Sequence, residues 1–122
     1  MTYIGRFAPS PTGLLHFGSL LAATASYLQA RSQQGQWLLR IEDLDKPREQ
    51  PGAAEAIIQT LALYGFEWDQ PIVYQSQRFD AYEKALQNLQ SYIYACNCSR
   101  KKLQLAANFG SFGAIYPGTC LK

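Results

Sequence analysis

The sequence predicts an α/β protein: the N-terminal half of a doubly wound parallel sheet, followed by a small metal-binding segment. Short apolar runs alternate along the chain with stretches of helical periodicity, which is typical of a parallel sheet covered by helices. Polar loops follow the first two apolar runs, where such a sheet opens its ligand crevice. Three cysteines near the C-terminal end, at positions 96, 98 and 120, predict the metal-binding segment.

The predicted elements alternate regularly. Strands are expected at 3–8, 37–41, 71–74 and 92–96, and helices at 19–34, 53–64, 80 to about 90, and 100–107. The first helix has a stripe of residues at helical spacing: Leu20, Leu21, Thr24, Tyr27, Leu28 and Arg31. Residues 108–122 are rich in glycine and aromatic residues and are expected to be irregular. Since these strands supply one side of a doubly wound sheet, we predict its first half at 1–95 and the metal-binding segment at 96–122.

Composition narrows the class of protein. The chain has 122 residues, 48% of them hydrophobic, and a net charge of +2, which is too small to argue for nucleic acid by itself. It contains no run of about 20 apolar residues and no signal-peptide pattern, so we expect a cytoplasmic protein without a membrane partner. In that compartment an odd number of cysteines favours a metal or free thiols over disulfides.

The stretch from Arg6 to Ser19 joins the first predicted strand to the first predicted helix. It contains two prolines, two glycines and the only histidine of the chain, His16. A loop of this kind at a helix N-terminus is the usual place to hold phosphate, and Gly18 would let a ligand approach the first helical turn. Taken alone, His16 is more often a half-buried packing residue, and Arg6 a surface residue at a strand end.

Residues 8–19 read Ala-Pro-Ser-Pro-Thr-Gly-x-x-His-x-Gly-Ser. This pattern resembles the ATP-binding signature of class I aminoacyl-tRNA synthetases, and most of all that of the glutamyl and glutaminyl branch. The resemblance implies a Rossmann-like catalytic domain in which Thr12, His16 and Gly18 bind ATP, accompanied by Mg²⁺. It also implies that His16, Gly18 and Ser19 are catalytic, with His16 stabilising charge on the α-phosphate as the adenylate forms. Ser19 stands where many of these enzymes have a second histidine.

An acidic turn, Arg40-Ile41-Glu42-Asp43-Leu44-Asp45, follows the second predicted strand. By itself it could be a solvated turn. The glutamyl branch has Arg-Ile-Glu-Asp-Thr-Asp here, so the match differs only at Leu44. The resemblance implies that Glu42 binds the α-ammonium group of glutamate, because a carboxylate pairs with an ammonium group. It implies the following glutamate-binding set: Arg6, Phe7, Ala8, Pro9, Ser10 and Glu42.

The cysteines form the third pattern. Cys96 and Cys98 can both face one ion, and Cys120 supplies a third thiolate; three ordinary buried or free cysteines are the alternative. The Cys-x-Cys…Tyr-x-x-x-Cys spacing resembles the zinc site of glutamyl-queuosine tRNA(Asp) synthetases, which implies that Tyr116 completes the coordination of one structural Zn²⁺. The neighbouring run Ser99-Arg100-Lys101-Lys102 is either a solvated helix start or a contact with RNA phosphates.

The resemblance extends from about residue 3 to residue 120. It implies an aminoacyl-tRNA synthetase-like ligase, acting as a monomer, that activates L-glutamate with ATP as glutamyl-adenylate and transfers it to the queuosine base of tRNA(Asp). The family's second half, with a lysine-rich loop that grips the ATP phosphates, is not in these residues, so half of the site is expected here. Two alternatives stay open: a fragment of a glutamyl-tRNA synthetase charging tRNA(Glu), and a non-catalytic remnant that binds zinc or tRNA.

Overall fold

The computed structural model describes residues 2–106 and 108–121. The chain divides into two compact units, Met1–Phe79 and Asp80–Lys122. The predicted boundary at 95/96 marks the start of the metal-binding segment rather than a division by contacts, and it stays a prediction. In the described part of the chain, every helix is too short or too polar to cross a membrane.

The first unit is a parallel sheet with helical connections. Its strands are β1 (Ile4–Phe7), β2 (Gln36–Ile41) and β3 (Val73–Tyr74), in the spatial order β1-β2-β3. Helix α1 (Phe17–Ser32) connects β1 to β2, and α2 (Ala53–Leu63) connects β2 to β3. Both strand pairs are parallel, with Arg6 opposite Leu38 and Ile41 opposite Tyr74. The predicted α/β fold is therefore confirmed.

The core lies on one face of this sheet. Along β2 every second side chain is buried, because successive side chains point to opposite faces: these are Trp37, Leu39 and Ile41. Helices α1 and α2 and the segment after α2 cover this face with Ala23, Ala30, Ile57, Leu61 and Phe66. Burying one such large apolar side chain stabilises the fold by about 1.5–3 kcal/mol.

Helix α1 packs closely on β1 because β1 contains Gly5. A Cβ atom at Gly5 would lie 3.1 Å from Cβ of Ala30 and 3.2 Å from the backbone oxygen of Ser26. The alanines of α1 therefore meet the sheet, whereas Leu21 and Leu28 of the predicted stripe are each 59% exposed. The close approach of the backbone favours small residues at the contact, so part of that stripe faces outward.

The second unit has little regular structure. It contains most of α3 (Phe79–Asn88), then α4 (Arg100–Ala106) and a short antiparallel hairpin of β4 (Phe109–Gly110) and β5 (Gly113–Ala114). The strand predicted at 92–96 is wrong: a 3₁₀ turn at Gln90–Tyr92 is followed by chain without regular structure. Tyr94 there stacks on Tyr116 instead, with 5.9 Å between ring centroids. The region predicted to be irregular contains the hairpin, and Ala107, the predicted end of the last helix, lies outside the described residues.

Candidate active site and metal centre

A cavity of about 400 Å³ lies between the loop after β1 and the first turn of α1. Most of the residues predicted to bind ATP or glutamate line it: Phe7, Ala8, Pro9, Ser10, Thr12, His16, Gly18 and Ser19. Arg6 and Glu42 are outside its lining. Arg6 is exposed and alternates along β1 with Gly5 and Phe7, so it lies on the sheet face opposite the core.

His16 is the N-cap residue of α1. Its Nδ1 accepts the backbone N–H of Ser19 at 3.2 Å, and its Nε2 lies 3.1 Å from Oγ of Ser19. Because Nδ1 accepts a hydrogen bond, the proton of the neutral ring is assigned to Nε2, which then donates to the Ser19 hydroxyl. His16 is exposed, so the interpretation as a half-buried packing residue does not fit. Both ring nitrogens are oriented by one residue, Ser19.

The imidazole of His16 lies where a side chain of residue 18 would be, and Gly18 has none. A Cβ atom at Gly18 would lie 3.1 Å from Cε1 and 3.2 Å from Nδ1 of His16. An alanine at this position would therefore push the ring away from Ser19. Glycine at this position therefore lets the imidazole keep its contacts with Ser19.

The start of α1 suits an anion. The first N–H groups of a helix have no partner within the helix and carry the positive end of its dipole. In α1, no acidic residue lies in the first turn, and the His16 ring satisfies only the N–H of Ser19. The open cavity at this point can accept a phosphate group.

Two backbone hydrogen bonds join the chain after β2, including the acidic turn, to the loop after β1. The N–H of Glu42 donates to the carbonyl of Pro9 at 2.9 Å, and the N–H of Gln50 donates to that of Pro11, also at 2.9 Å. The carboxyl ends of β1 and β2 thus bring the two loops together, as the parallel arrangement predicts. Oε1 of the Glu42 carboxylate accepts a hydrogen bond from Arg40, and the side chain is 31% exposed.

Asp43 is a residue of the site whose partner the sequence did not reveal. It is 7% exposed; its Oδ1 accepts the backbone N–H of Ser76 at 2.9 Å, and its Oδ2 accepts the Ser76 hydroxyl. Burial by itself would raise the pKa of Asp43, but these hydrogen bonds outweigh it and hold that pKa below its ordinary value. The pair fixes the acidic turn, and with it Glu42, to the chain after β3.

The structure brings the three cysteines together. The Sγ atoms of Cys96, Cys98 and Cys120 all lie within 4.8 Å of one another, and those of Cys98 and Cys120 are 3.6 Å apart. Two thiolates bound to one tetrahedral zinc at about 2.3 Å would be about 3.8 Å apart. The cluster therefore fits a zinc ion.

Tyr116 lies at the same cluster. Its Oη is 3.7 Å from Sγ of Cys96 and accepts the backbone N–H of Cys120 at 2.9 Å. The hydrogen bond with the Cys120 side chain and then desolvation raise the pKa of Tyr116. Hydrogen bonds from Tyr116 and then Cys98 lower the pKa of Cys120, so this thiol loses its proton before the phenol does. A bound cation would favour the ionised form of every ligand.

Comparisons with known proteins show the family of this chain. Residues 4–108 match the family model of class I tRNA synthetases (E and Q), catalytic domain. A protein of Dechloromonas aromatica named glutamyl-Q tRNA(Asp) synthetase is 57% identical over 122 residues, which are 97% of this chain and 40% of that protein. One of Neisseria meningitidis with the same name is 58% identical over 120 residues, covering 97% of this chain and 41% of that protein.

Among solved structures, the glutamate-tRNA synthetase of Elizabethkingia anophelis superposes with a TM-score of 0.76 at 33% identity. The match covers 86% of this chain and 23% of that protein. The chain thus spans about 40% of the length of the curated relatives it matches.

Proposed function

This chain belongs to the catalytic-domain family of class I (E and Q) tRNA synthetases, and on that premise we propose that it carries half of a glutamate-activating site. The reaction begins when a carboxylate oxygen of L-glutamate attacks the α-phosphorus of ATP, and pyrophosphate leaves as the bond to the β-phosphate breaks. The acyl group of the adenylate then passes to the queuosine base of tRNA(Asp), with release of AMP. The observation that carries the proposal is the hydrogen bond from the N–H of Glu42 to the carbonyl of Pro9. It holds the acidic turn, which contains Glu42, against the loop after β1, which contains His16.

ATP is assigned to the cavity at the start of α1. Thr12, His16 and Gly18 would bind it, and His16, Gly18 and Ser19 would act on the α-phosphate. The N–H groups of the helix start and the Ser19 hydroxyl, which accepts the Nε2 proton of His16 and so keeps its own proton to donate, are positioned donors, and such preorganised donors stabilise charge that develops in a transition state. Mg²⁺ would arrive with the ATP phosphates, as is usual in phosphate chemistry.

Glutamate is assigned to Arg6, to residues 7–10 and to Glu42. Arg6 makes no ion pair with the residues that the structure describes, so its guanidinium is available for a substrate carboxylate. Arg40 uses Oε1 of Glu42, which leaves Oε2 for the ammonium group of the amino acid. Phe7, Ala8, Pro9 and Ser10 would form the surface between these two charges.

Zinc is assigned a structural role. Cys96, Cys98, Cys120 and Tyr116 would hold one Zn²⁺ in a closed tetrahedral site, and closed sites are structural. The ion would order the segment from 96 to 120 by joining its two ends. A tyrosine ligand is testable by itself: Tyr116→Phe should weaken zinc binding, and full retention of zinc with unchanged stability would remove Tyr116 from the site.

A second candidate function is charging of tRNA(Glu). The similarity to the glutamate-tRNA synthetase of Elizabethkingia anophelis favours it. The two functions share glutamate activation and differ only in the acceptor. Transfer of labelled glutamate to tRNA(Asp) with queuosine, to tRNA(Asp) without it and to tRNA(Glu) separates them, and we expect only the first to be labelled.

The test of activation uses a chimera in which this chain replaces the corresponding segment of the Dechloromonas aromatica relative. We expect the chimera to catalyse glutamate-dependent ATP–pyrophosphate exchange. His16→Ala should lower the exchange rate about 100-fold or more, which is the usual cost of losing one group that stabilises the transition state. Glu42→Gln should raise the glutamate requirement far more than the ATP requirement. The matched control is Glu55→Gln, an exposed residue of α2, which should change neither. A chimera without exchange, beside an active relative, would refute the proposal.

A further inference from the structure

The chain after β3 contacts the acidic turn, although no predicted site residue lies in it. Strands β2 and β3 are in register at Ile41 and Tyr74, and two residues further along each chain stand Asp43 and Ser76. There a side chain continues the pairing: Oδ1 of Asp43 accepts the backbone N–H of Ser76 at 2.9 Å, and Oδ2 accepts the Ser76 hydroxyl. Since the carboxyl ends of parallel strands form the ligand edge of a sheet, Ser76 brings a third strand end to the candidate site.

The position of Asp43 depends on this neutral partner. Asp43 is buried, and among the described residues it forms no ion pair. A carboxylate that leaves water needs hydrogen bonds in place of its hydration, and Ser76 supplies two of them. Loss of the Ser76 hydroxyl would leave Oδ2 without this partner, and the carboxylate would then move toward water.

Glu42 lies between two such attachments. Its N–H donates to the carbonyl of Pro9 at 2.9 Å, and its carbonyl carbon is joined to the nitrogen of Asp43 by a planar peptide bond. The loop after β1 thus holds Glu42 on one side, and Ser76 holds it through Asp43 on the other. Because the contact of a carboxylate with an ammonium group depends on distance and direction, a small shift of this backbone would weaken it.

We propose that Ser76 is a positioning residue for the amino acid substrate: it holds Asp43, and through the backbone it sets where the carboxylate of Glu42 meets the ammonium group. The proposal rests on the proposed function for the identity of that ligand. Ser76 touches no substrate in this role. Ser76 and Asp43 are both outside the lining of the cavity assigned to ATP, so the effect is confined to the amino acid.

The kinetic test measures ATP–pyrophosphate exchange by the chimera described above, at varied glutamate and varied ATP. Ser76→Ala should raise the KM for glutamate about tenfold and the KM for ATP less than twofold, because only the Glu42 carboxylate is displaced. Ser76→Thr keeps the hydroxyl and should bring the KM for glutamate back to within about twofold of the wild type. Equal rises in the two KM values would overturn the proposal.

The matched control removes a hydroxyl of similar burial from the same unit. Ser26 of α1 is half-buried like Ser76; its hydroxyl donates to the carbonyl of Ala23 and accepts Nε1–H of Trp37, both at 2.9 Å. Ser26→Ala should therefore destabilise the first unit and leave the KM for glutamate within about twofold of the wild type. The same rise in this KM in both serine variants would mean that lost stability alone weakens glutamate binding, and it would overturn the proposal.

A double variant tests whether Ser76 acts through Asp43. Asp43→Asn and Ser76→Ala disrupt the same contact, so together they should raise the KM for glutamate about as much as the more severe single change. Effects that multiply would show that Ser76 acts by another route, and would contradict the proposal.

Amide hydrogen exchange of the chain itself needs no activity and so separates this proposal from the proposed function. In Ser76→Ala the amide of Glu42, which donates to Pro9, should exchange about tenfold faster or more. The amide of Gln36, which donates to the carbonyl of Tyr3 at the other end of the same strands, should be unchanged. Unchanged protection of Glu42 would overturn the positioning role, whereas a wild-type chimera without pyrophosphate exchange would refute the proposed function.

Discussion

The two units contain similar kinds of residue but use them differently. The fully buried side chains of the described residues all lie in the first unit, where they form one core between the sheet and its two helices. In the described part of the second unit no side chain is buried, although it contains Leu86, Ile93 and Phe112. Apolar residues therefore order the first unit, whereas the described residues of the second unit form no core of their own.

A zinc ion at the cysteine cluster, as proposed above, would order this unit. A structural zinc site contributes an apparent free energy of about 10–16 kcal/mol, far more than any single buried side chain. Small segments that cannot build a core commonly depend on a metal. We therefore expect packing to stabilise the first unit and the proposed zinc ion to order residues 96–120.

The largest expected effect is loss of the metal. Cys98→Ser should lower zinc content from about one equivalent to below about a tenth, because the remaining ligands cannot close the tetrahedron. The unfolding transition of the first unit should not move. Elemental analysis measures the zinc content. Tryptophan fluorescence follows unfolding of the first unit, because Trp37 and Trp68 both lie there. Thr119→Ala, next to a ligand, is the control and should retain zinc; full zinc in Cys98→Ser would contradict the assignment.

The next effect is loss of packing in the first unit. Leu61 of α2 is fully buried and Leu63 is 88% exposed, so the same substitution at the two positions isolates burial. Leu61→Ala should reduce the free energy of unfolding by about 2–5 kcal/mol, and Leu63→Ala by less than about 0.5 kcal/mol. Urea unfolding, monitored by tryptophan fluorescence, gives the free energy of unfolding of both variants. Zinc content should be unchanged in each, and similar costs at the two positions would contradict the described core.

A smaller effect is expected at the pair of Asp43 and Ser76. Asp43→Asn should cost about 1–3 kcal/mol at neutral pH, because it weakens hydrogen bonds to a buried carboxylate. Since the pKa of Asp43 is lowered in the folded protein, this stabilisation is present above its ordinary value of 3.8 and is lost as the pH falls below that value.

Urea unfolding at pH 7 and pH 3 tests this account of Asp43. The difference in stability between the wild type and Asp43→Asn should shrink at the lower pH, and the exposed control Glu67→Gln should show little difference at either. A difference independent of pH would mean that shape rather than charge matters at Asp43.

The first unit was the more predictable region because its signals are local. The alternation of apolar runs gave β1, β2 and β3 with the helices between them, and parallel strands had to bring the loops after β1 and β2 to one edge. The face of α1 that packs on the sheet was harder to predict. Gly5 lets α1 lie so close to β1 that alanines rather than leucines occupy the contact, and the periodicity of α1 alone cannot show this. The pairing of Asp43 with Ser76, separated by 33 residues, left no local signal either.

The second unit was less predictable because its order depends on contacts distant in sequence. The run from Tyr92 to Cys96 has strand-forming residues, but a strand needs a neighbour to pair with, and here Tyr94 meets Tyr116 instead. The cysteine spacing predicted that Cys96, Cys98 and Cys120 meet, and the family resemblance added Tyr116; the four side chains lie together. The roles of the predicted site residues in binding ATP, glutamate and zinc stay predictions.

Amide hydrogen exchange with and without a zinc chelator tests the contrast between the units most directly. We predict that chelation accelerates exchange between residues 96 and 120 and leaves β1, β2 and α2 protected as before, because the core of the first unit contains no metal ligand. Equal loss of protection in both units, or unchanged protection at 96–120 after complete zinc removal, would contradict the account.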